Sequence, residues 1–180
     1  MILNFNNIIK MNNTCESFLE KYKSCHNNRM NKIFINEAIT LANNSEGGPF
    51  GAIIVKNDNI IGQANNKVTI NNDPTAHAEI MAIRDACFNI KNFSLEGATI
   101  YTSCEPCPMC LAAIYWARID KIYYANTRED AAEIGFDDKE IYEEFNKKID
   151  DRKIEMIKLN NTNAKETFIK WENKIEKISY

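Results

Sequence analysis

Ala98-Thr99-Ile100-Tyr101-Thr102-Ser103-Cys104-Glu105-Pro106-Cys107-Pro108-Met109-Cys110 decides the fold. Its first part, Ala98–Thr102, is apolar and β-branched, the composition of a buried strand. Cys104–Pro108 is a tight loop. Pro108 suits the first turn of a helix, where its missing N–H costs nothing. That helix runs to about Arg118. A strand that passes through a short loop into a helix is one step of an alternating strand–helix pattern.

The alternation continues outward in both directions. Upstream, about Ala76–Asn89 reads as a helix, with Ile80, Ile83 and Cys87 on one side. Asp73 and Thr75 stand before it as capping residues. Gly51–Lys56 and Ile60–Gln63 flank the turn residues Asn57-Asp58-Asn59, which predicts a hairpin. From Met30 to Ala42, apolar residues recur at three- and four-residue steps, as on an amphipathic helix, and Gly47-Gly48-Pro49 ends it. Downstream, Lys121–Ala125 reads as a strand, Arg128–Asp137 as a short helix and loop, and Lys139–Asn146 as a helical turn or two. Ile154–Leu159 reads as the last strand and Ala164–Ile178 as the last helix. This order predicts an α/β fold, a layered sheet with helices on both faces. Residues 1–29 are polar and Asn-rich, and are expected to be a disordered extension to a domain spanning 30–180.

Composition narrows the function. The chain has 180 residues, 44% hydrophobic and 26% charged, which suits one ordinary globular domain. The net charge is −3, where a nucleic-acid-binding face is usually basic, so nucleic acid is an unfavoured partner. No apolar run is long enough for a membrane span, and Met1–Arg29 lacks the core of a signal peptide, so the cytoplasm is expected. Six cysteines stand at 15, 25, 87, 104, 107 and 110. Three of them crowd into seven residues, which is metal or redox spacing rather than a disulfide framework.

His77-Ala78-Glu79 and Pro106-Cys107-Pro108-Met109-Cys110 are the chemical centre. One imidazole and two thiolates form a natural ligand set for zinc. Cys107 and Cys110 lie one helical turn apart and can face one ion. Three protein ligands leave a fourth position for water, the mark of a catalytic site. His77 and Cys107 both fall at predicted helix N-termini, whose dipoles favour thiolates. Glu79, two residues from a ligand, is free to move a proton. A C-x-x-C pair alone is often a structural half-site or a redox pair. Cys104, at the right spacing for a fourth ligand, is read instead as a buried thiol at the strand exit. Cys87 reads as helix core, and Cys15 and Cys25 as tail residues that bind nothing.

The combination H-x-E…P-C-x-x-C is the signature of zinc-dependent deaminases. Together with Asp73-Pro74-Thr75-Ala76, Gly48-Pro49-Phe50-Gly51, Ala113-Ile114-Tyr115-Trp116-Ala117-Arg118 and Gly135-Phe136-Asp137-Asp138, it resembles the bacterial-type guanine deaminases of the cytidine deaminase-like superfamily. The resemblance covers about Met30 to Tyr180. It implies a three-layer α/β/α domain with a mixed central sheet of about five strands, one zinc ion per chain, and hydrolysis of guanine to xanthine and ammonia. It also implies a homodimer, in some members with exchanged C-terminal segments.

Residue by residue, the resemblance implies that His77, Cys107 and Cys110 hold zinc. Glu79 would take a proton from the activated water, which attacks the purine C2, and pass it to the departing amine. Asn66 would hydrogen-bond the base, or else be a plain turn residue. Asp138 would contact the purine, cap the helix after it, or both. Phe50 and Trp116 would wall the pocket, with core packing as the alternative for Trp116, and Ala78 would touch the substrate. The terminal Tyr180 would close over the bound base as a lid, from its own chain or its partner's. Guanosine deaminases share the Gly-Phe-Asp-Asp segment, and tRNA adenosine deaminases resemble the chain around Asp73–Arg84. A non-catalytic zinc-binding module would have no use for Glu79.

Overall fold

A computed structural model describes the backbone of residues 5–179 and the side chains of residues 24–179. A four-stranded mixed sheet is its centre, in the order β2-β1-β3-β4. Strands β1 (Gly51–Lys56) and β2 (Asn59–Asn65) form the predicted hairpin. Strand β3 (Thr99–Cys104) pairs antiparallel with β1 and parallel with β4 (Lys121–Asn126). Helix α1 (Phe5–Asn43) covers one face of the sheet. Helix α3 (Ala78–Ile90) covers the other, with α4 (Pro108–Trp116) beside it. The architecture is the expected α/β fold with helices on both sides. No helix among the described residues is long and apolar enough to cross a membrane.

Strand alternation builds both halves of the core. On β1, Ile53 and Val55 face α1 and meet Phe34, Ala38 and Tyr101. Ala52 and Ile54 point the other way and meet Ala78, Ala82, Ala86 and Ile100. Both helices present alanines, and two glycines let them lie close. A Cβ on Gly51 would stand 2.3 Å from the Ala38 carbonyl oxygen, and one on Gly62 would stand 2.5 Å from Ala86 N.

Three elements differ from the sequence reading. Helix α1 does not begin at Met30. It continues back to Phe5 through residues expected to be disordered, because no Gly or Pro interrupts the stretch. Ser24–Arg29 are exposed on this run and add nothing to the core. A one-turn helix, α2 (Val68–Asn71), follows β2 in what read as loop. The fifth strand expected at Ile154–Leu159 is absent. Alternating apolar residues alone cannot make a strand without a partner edge, and this stretch pairs with none in the single chain, so Ile154 is 80% exposed. Helices α5 (Arg128–Glu133) and α6 (Lys139–Asn146) precede it, and α7 (Ala164–Glu172) ends short of the predicted Ile178.

The close approach of α3 gives a direct test. Gly62→Ala must push α3 off β2 against backbone, not against a yielding side chain. It should destabilise the protein by about 1–3 kcal/mol, the range for overpacking, read from denaturant midpoints. An unchanged midpoint would show that α3 lies further from the sheet.

Candidate active site

Two helix N-termini meet at the end of β3. His77 is the N-cap of α3 and Cys107 the N-cap of α4, both extended, at φ −65° and −63°. Pro108 occupies the first turn of α4 as its fixed φ requires. Cys110 lies one turn further along and is buried. His77 Nδ1 is 3.6 Å from Cys107 Sγ and 3.5 Å from Cys110 Sγ. The three donor atoms lie within 4.8 Å of one another, the one such cluster among the described residues. That spread matches the edges of a single small tetrahedron, and the donor set, one nitrogen and two sulfurs, fits zinc.

Electrostatics favour the thiolate of Cys107 over that of Cys110. A hydrogen bond from Cys110, aided by His77, holds the Cys107 thiol down at about 4. The same bond to Cys107, with burial, pushes Cys110 upward. The Cys107 bond in turn raises the His77 imidazole. Cys104 is a different kind of cysteine. Its Sγ donates to the Thr127 carbonyl at 3.4 Å, and burial, then the Glu79 charge, push its thiol up to about 11. It stays a neutral thiol at the strand exit.

Glu79 sits in the first turn of α3, only 6% exposed. Cys110 Sγ lies 3.4 Å from its Oε2, and the Thr102 hydroxyl lies within hydrogen-bond reach of its Oε1 at 3.3 Å. Burial raises its carboxyl above the ordinary range. The carboxylate thus borders the metal cluster without being one of its three donors.

Comparison with known proteins now bears on the cluster. The profile for the cytidine and deoxycytidylate deaminase zinc-binding region matches residues 28–126, which hold all three donors and Glu79. The chain belongs to this deaminase family. Among family relatives, it is 48% identical to the guanine deaminase of Bacillus subtilis, over 82% of this chain and 97% of that one. The X-ray structure of the latter superposes with a TM-score of 0.80, covering 83% and 98% of the two chains. A guanine deaminase from Nitrosomonas europaea is 28% identical with a TM-score of 0.56, covering 59% and 64%. The tRNA-specific adenosine deaminase of Aquifex aeolicus is 47% identical, but over only 43% of this chain and 51% of that one.

A cavity of about 460 Å³ opens over the family's zinc cluster, bordered by His77, Glu79 and Cys107. Three residues singled out in the sequence line it. Phe50 forms one wall, edge-on to Phe136 at 4.9 Å. Asn66 is 4% exposed. Its Oδ1 accepts from the Val68 N–H at 3.0 Å, which fixes the amide. Asp138 is the third. It makes no side-chain cap to α6, because Asp137 accepts from the Lys139 N–H instead, at 2.9 Å. The capping alternative for Asp138 is thereby replaced by a carboxylate facing the cavity. Burial, then the Cys107 charge, raise it.

One expectation needs correction, and one is narrowed. Trp116 does not wall this cavity. It ends α4, about 13 Å along the axis from Cys107, and lies 66% exposed in an apolar groove with Ile80, Phe93 and Trp171. Ala78 opens α3 with its side chain buried in the core, which leaves its main chain as the part that would meet a substrate. Tyr180 lies outside the described residues.

The structure adds residues that sequence reasoning passed over: Thr102, Arg128, Phe136, Val68 and Thr69. Phe136 had a signal in Gly135, whose φ of +94° turns the chain toward the site. Arg128 had none, since one exposed-looking Arg at a helix start carries no pattern. Its guanidinium lies 5.0 Å over the Tyr142 ring and donates from Nε to Glu129 at 3.1 Å.

The division between ligands and bystander thiol is measurable as metal content. Wild type and Cys104→Ala should each hold one zinc per chain, while His77→Ala and Cys107→Ala should hold far less. Loss of zinc from Cys104→Ala with retention by Cys107→Ala would reverse the assignment.

Proposed function

We propose that the chain hydrolyses guanine to xanthine and ammonia, by way of zinc held on His77, Cys107 and Cys110. One observation carries the choice of substrate. The likeness to the Bacillus subtilis guanine deaminase extends over 82% of the chain, beyond the zinc motifs and through the wall that carries Phe136 and Asp138. The likeness to the Aquifex aeolicus tRNA-specific adenosine deaminase covers only 43%.

When bound, zinc lowers the pKa of its water to roughly 7, which supplies a nucleophile at neutral pH. The chain does the rest. Phe50 and Phe136 offer flat apolar surface for a purine ring. Asn66 Nδ2 donates to a ring acceptor, and Asp138 accepts from purine N–H groups. These contacts would set the C2 carbon over the water. Glu79 takes the proton of the attacking water and delivers it to the departing amine as C2–N breaks. Its burial supports that cycle, because a carboxyl with a raised pKa gives up and regains a proton more evenly near neutrality.

The working unit we propose is a homodimer in the cytoplasm. Among the described residues the outer edge of β4 has no partner strand, and Ile154–Leu159 and α7 expose apolar side chains that a single chain leaves in water. Exchange of C-terminal segments between two copies would cover both. In this arrangement Tyr180 closes over the substrate as a lid, and residues 1–29 form an extension to the 30–180 domain that turnover does not need.

Ammonia release tests the proposal on guanine, guanosine, cytosine, adenine and tRNA. The full chain and a chain starting at Met30 should both prefer guanine by a large factor in kcat/KM. A chain lacking Lys177–Tyr180 should lose about tenfold, the scale of one substrate hydrogen bond with water exclusion. Preference for guanosine or for tRNA adenosine would overturn the substrate, and unchanged kinetics in the shortened chain would remove the lid.

A further inference from the structure

Thr102 stands where the sheet asks for an apolar residue. On β3, Ile100 and Thr102 point to the same face, the one packed beneath α3 and α4. Thr102 pairs with Ala52 on one side and Tyr124 on the other, in the interior of the sheet. It is 1% exposed. A hydroxyl buried there costs free energy unless it is hydrogen-bonded. Its neighbour Ser103 points to the opposite face, where its Oγ accepts from the Gly51 N–H at 3.0 Å and ties two strands together. Thr102 makes no such strand-to-strand bond. Its Oγ1 lies 3.3 Å from Glu79 Oε1 and 3.0 Å from the Cys104 carbonyl oxygen.

We propose that Thr102 is a positioning residue for deamination, anchoring Glu79 Oε1 from β3 so that Oε2 faces the metal cluster. The geometry already divides the two carboxylate oxygens. Oε1 is held by Thr102, and Oε2 lies 3.4 Å from Cys110 Sγ. A carboxylate on a helix can rotate about its terminal bond, which is broad and nearly two-fold. One fixed bond to one oxygen removes that freedom. A hydroxyl has one hydrogen and two lone pairs, so it can donate to Oε1 or accept from it. The Cys104 carbonyl receives the hydrogen in the second case. Either arrangement keeps Oε1 beside Thr102. Small misplacements of a catalytic group can cost large factors in rate, which gives the anchor its value.

This inference rests on Glu79 being the proton shuttle, so the test carries a separate control for that reading. Thr102→Val keeps shape and removes the hydroxyl, Thr102→Ser keeps the hydroxyl and removes the methyl, and Glu79→Gln removes the shuttle. Each is measured for zinc content, melting temperature, and kcat and KM on guanine. Thr102→Val should retain zinc and a near-normal KM while kcat falls at least about tenfold. Thr102→Ser should keep kcat within about threefold even where its melting temperature is the lower of the two. A structural role alone predicts the opposite order, with the better-packed Val the better enzyme. Should Thr102→Val fail to fold, Thr102→Ala carries the same expectation. Normal kcat in Thr102→Val with an inactive Glu79→Gln would overturn the anchor and leave the shuttle standing. Equal losses in Val and Ser would also overturn it. An active Glu79→Gln would overturn both.

Discussion

The meeting of two helix N-termini at the end of one strand is the constraint on which the rest depends. Each of α3 and α4 starts with a ligand-bearing residue in its N-cap position, His77 and Cys107. Helix starts present unpaired N–H groups and a partial positive charge. Two of them together make a place where thiolate charge is stable. The hydrogen bonds from Cys110 and His77 add to this and hold the Cys107 thiol low. Backbone geometry, through these two N-cap positions, brings the donor atoms together.

The remainder of the fold serves to keep those two starts together. Strand β3 delivers Cys104, and the short Glu105-Pro106 loop leaves Cys107 no choice but to begin the next helix. Helix α3 reaches the same point because its alanine face settles onto the sheet beside Gly62. Larger residues at either place would lift α3 and carry His77 and Glu79 away from Cys107. Core packing and metal geometry are in this sense one problem. Dynamics are expected elsewhere, in the exposed C-terminal third, where little apolar surface is buried in the single chain.

The centre of the molecule was legible in the sequence, and its rim was not. The strand–loop–helix at Ala98–Arg118 and the helix after Asp73 follow from local rules: β-branching, Pro at a helix start, a capping Asp. The ligand cluster follows because its residues sit at those same local boundaries. Ile154–Leu159 shows where local rules stop. Its pattern is that of a strand, but a strand exists only against a partner edge, and sequence says nothing of where that edge lies. Trp116 failed for a related reason: a motif match carries residue type but not the length of helix between it and the site. Thr102 was hidden because a Thr in a strand is ordinary. Only the direction of its side chain, toward Glu79, distinguishes it.

An open zinc site of one histidine and two cysteines fixes how many sulfur atoms surround the metal. X-ray absorption at the zinc edge of the loaded wild-type protein gives that count. Two sulfurs at about 2.3 Å and two lighter atoms, nitrogen and oxygen, at about 2.0–2.1 Å are expected. Three or more sulfurs would mean that Cys104 closes the coordination sphere, and the site would be structural. A shell of light atoms alone would mean that the two helix starts do not hold the metal at all.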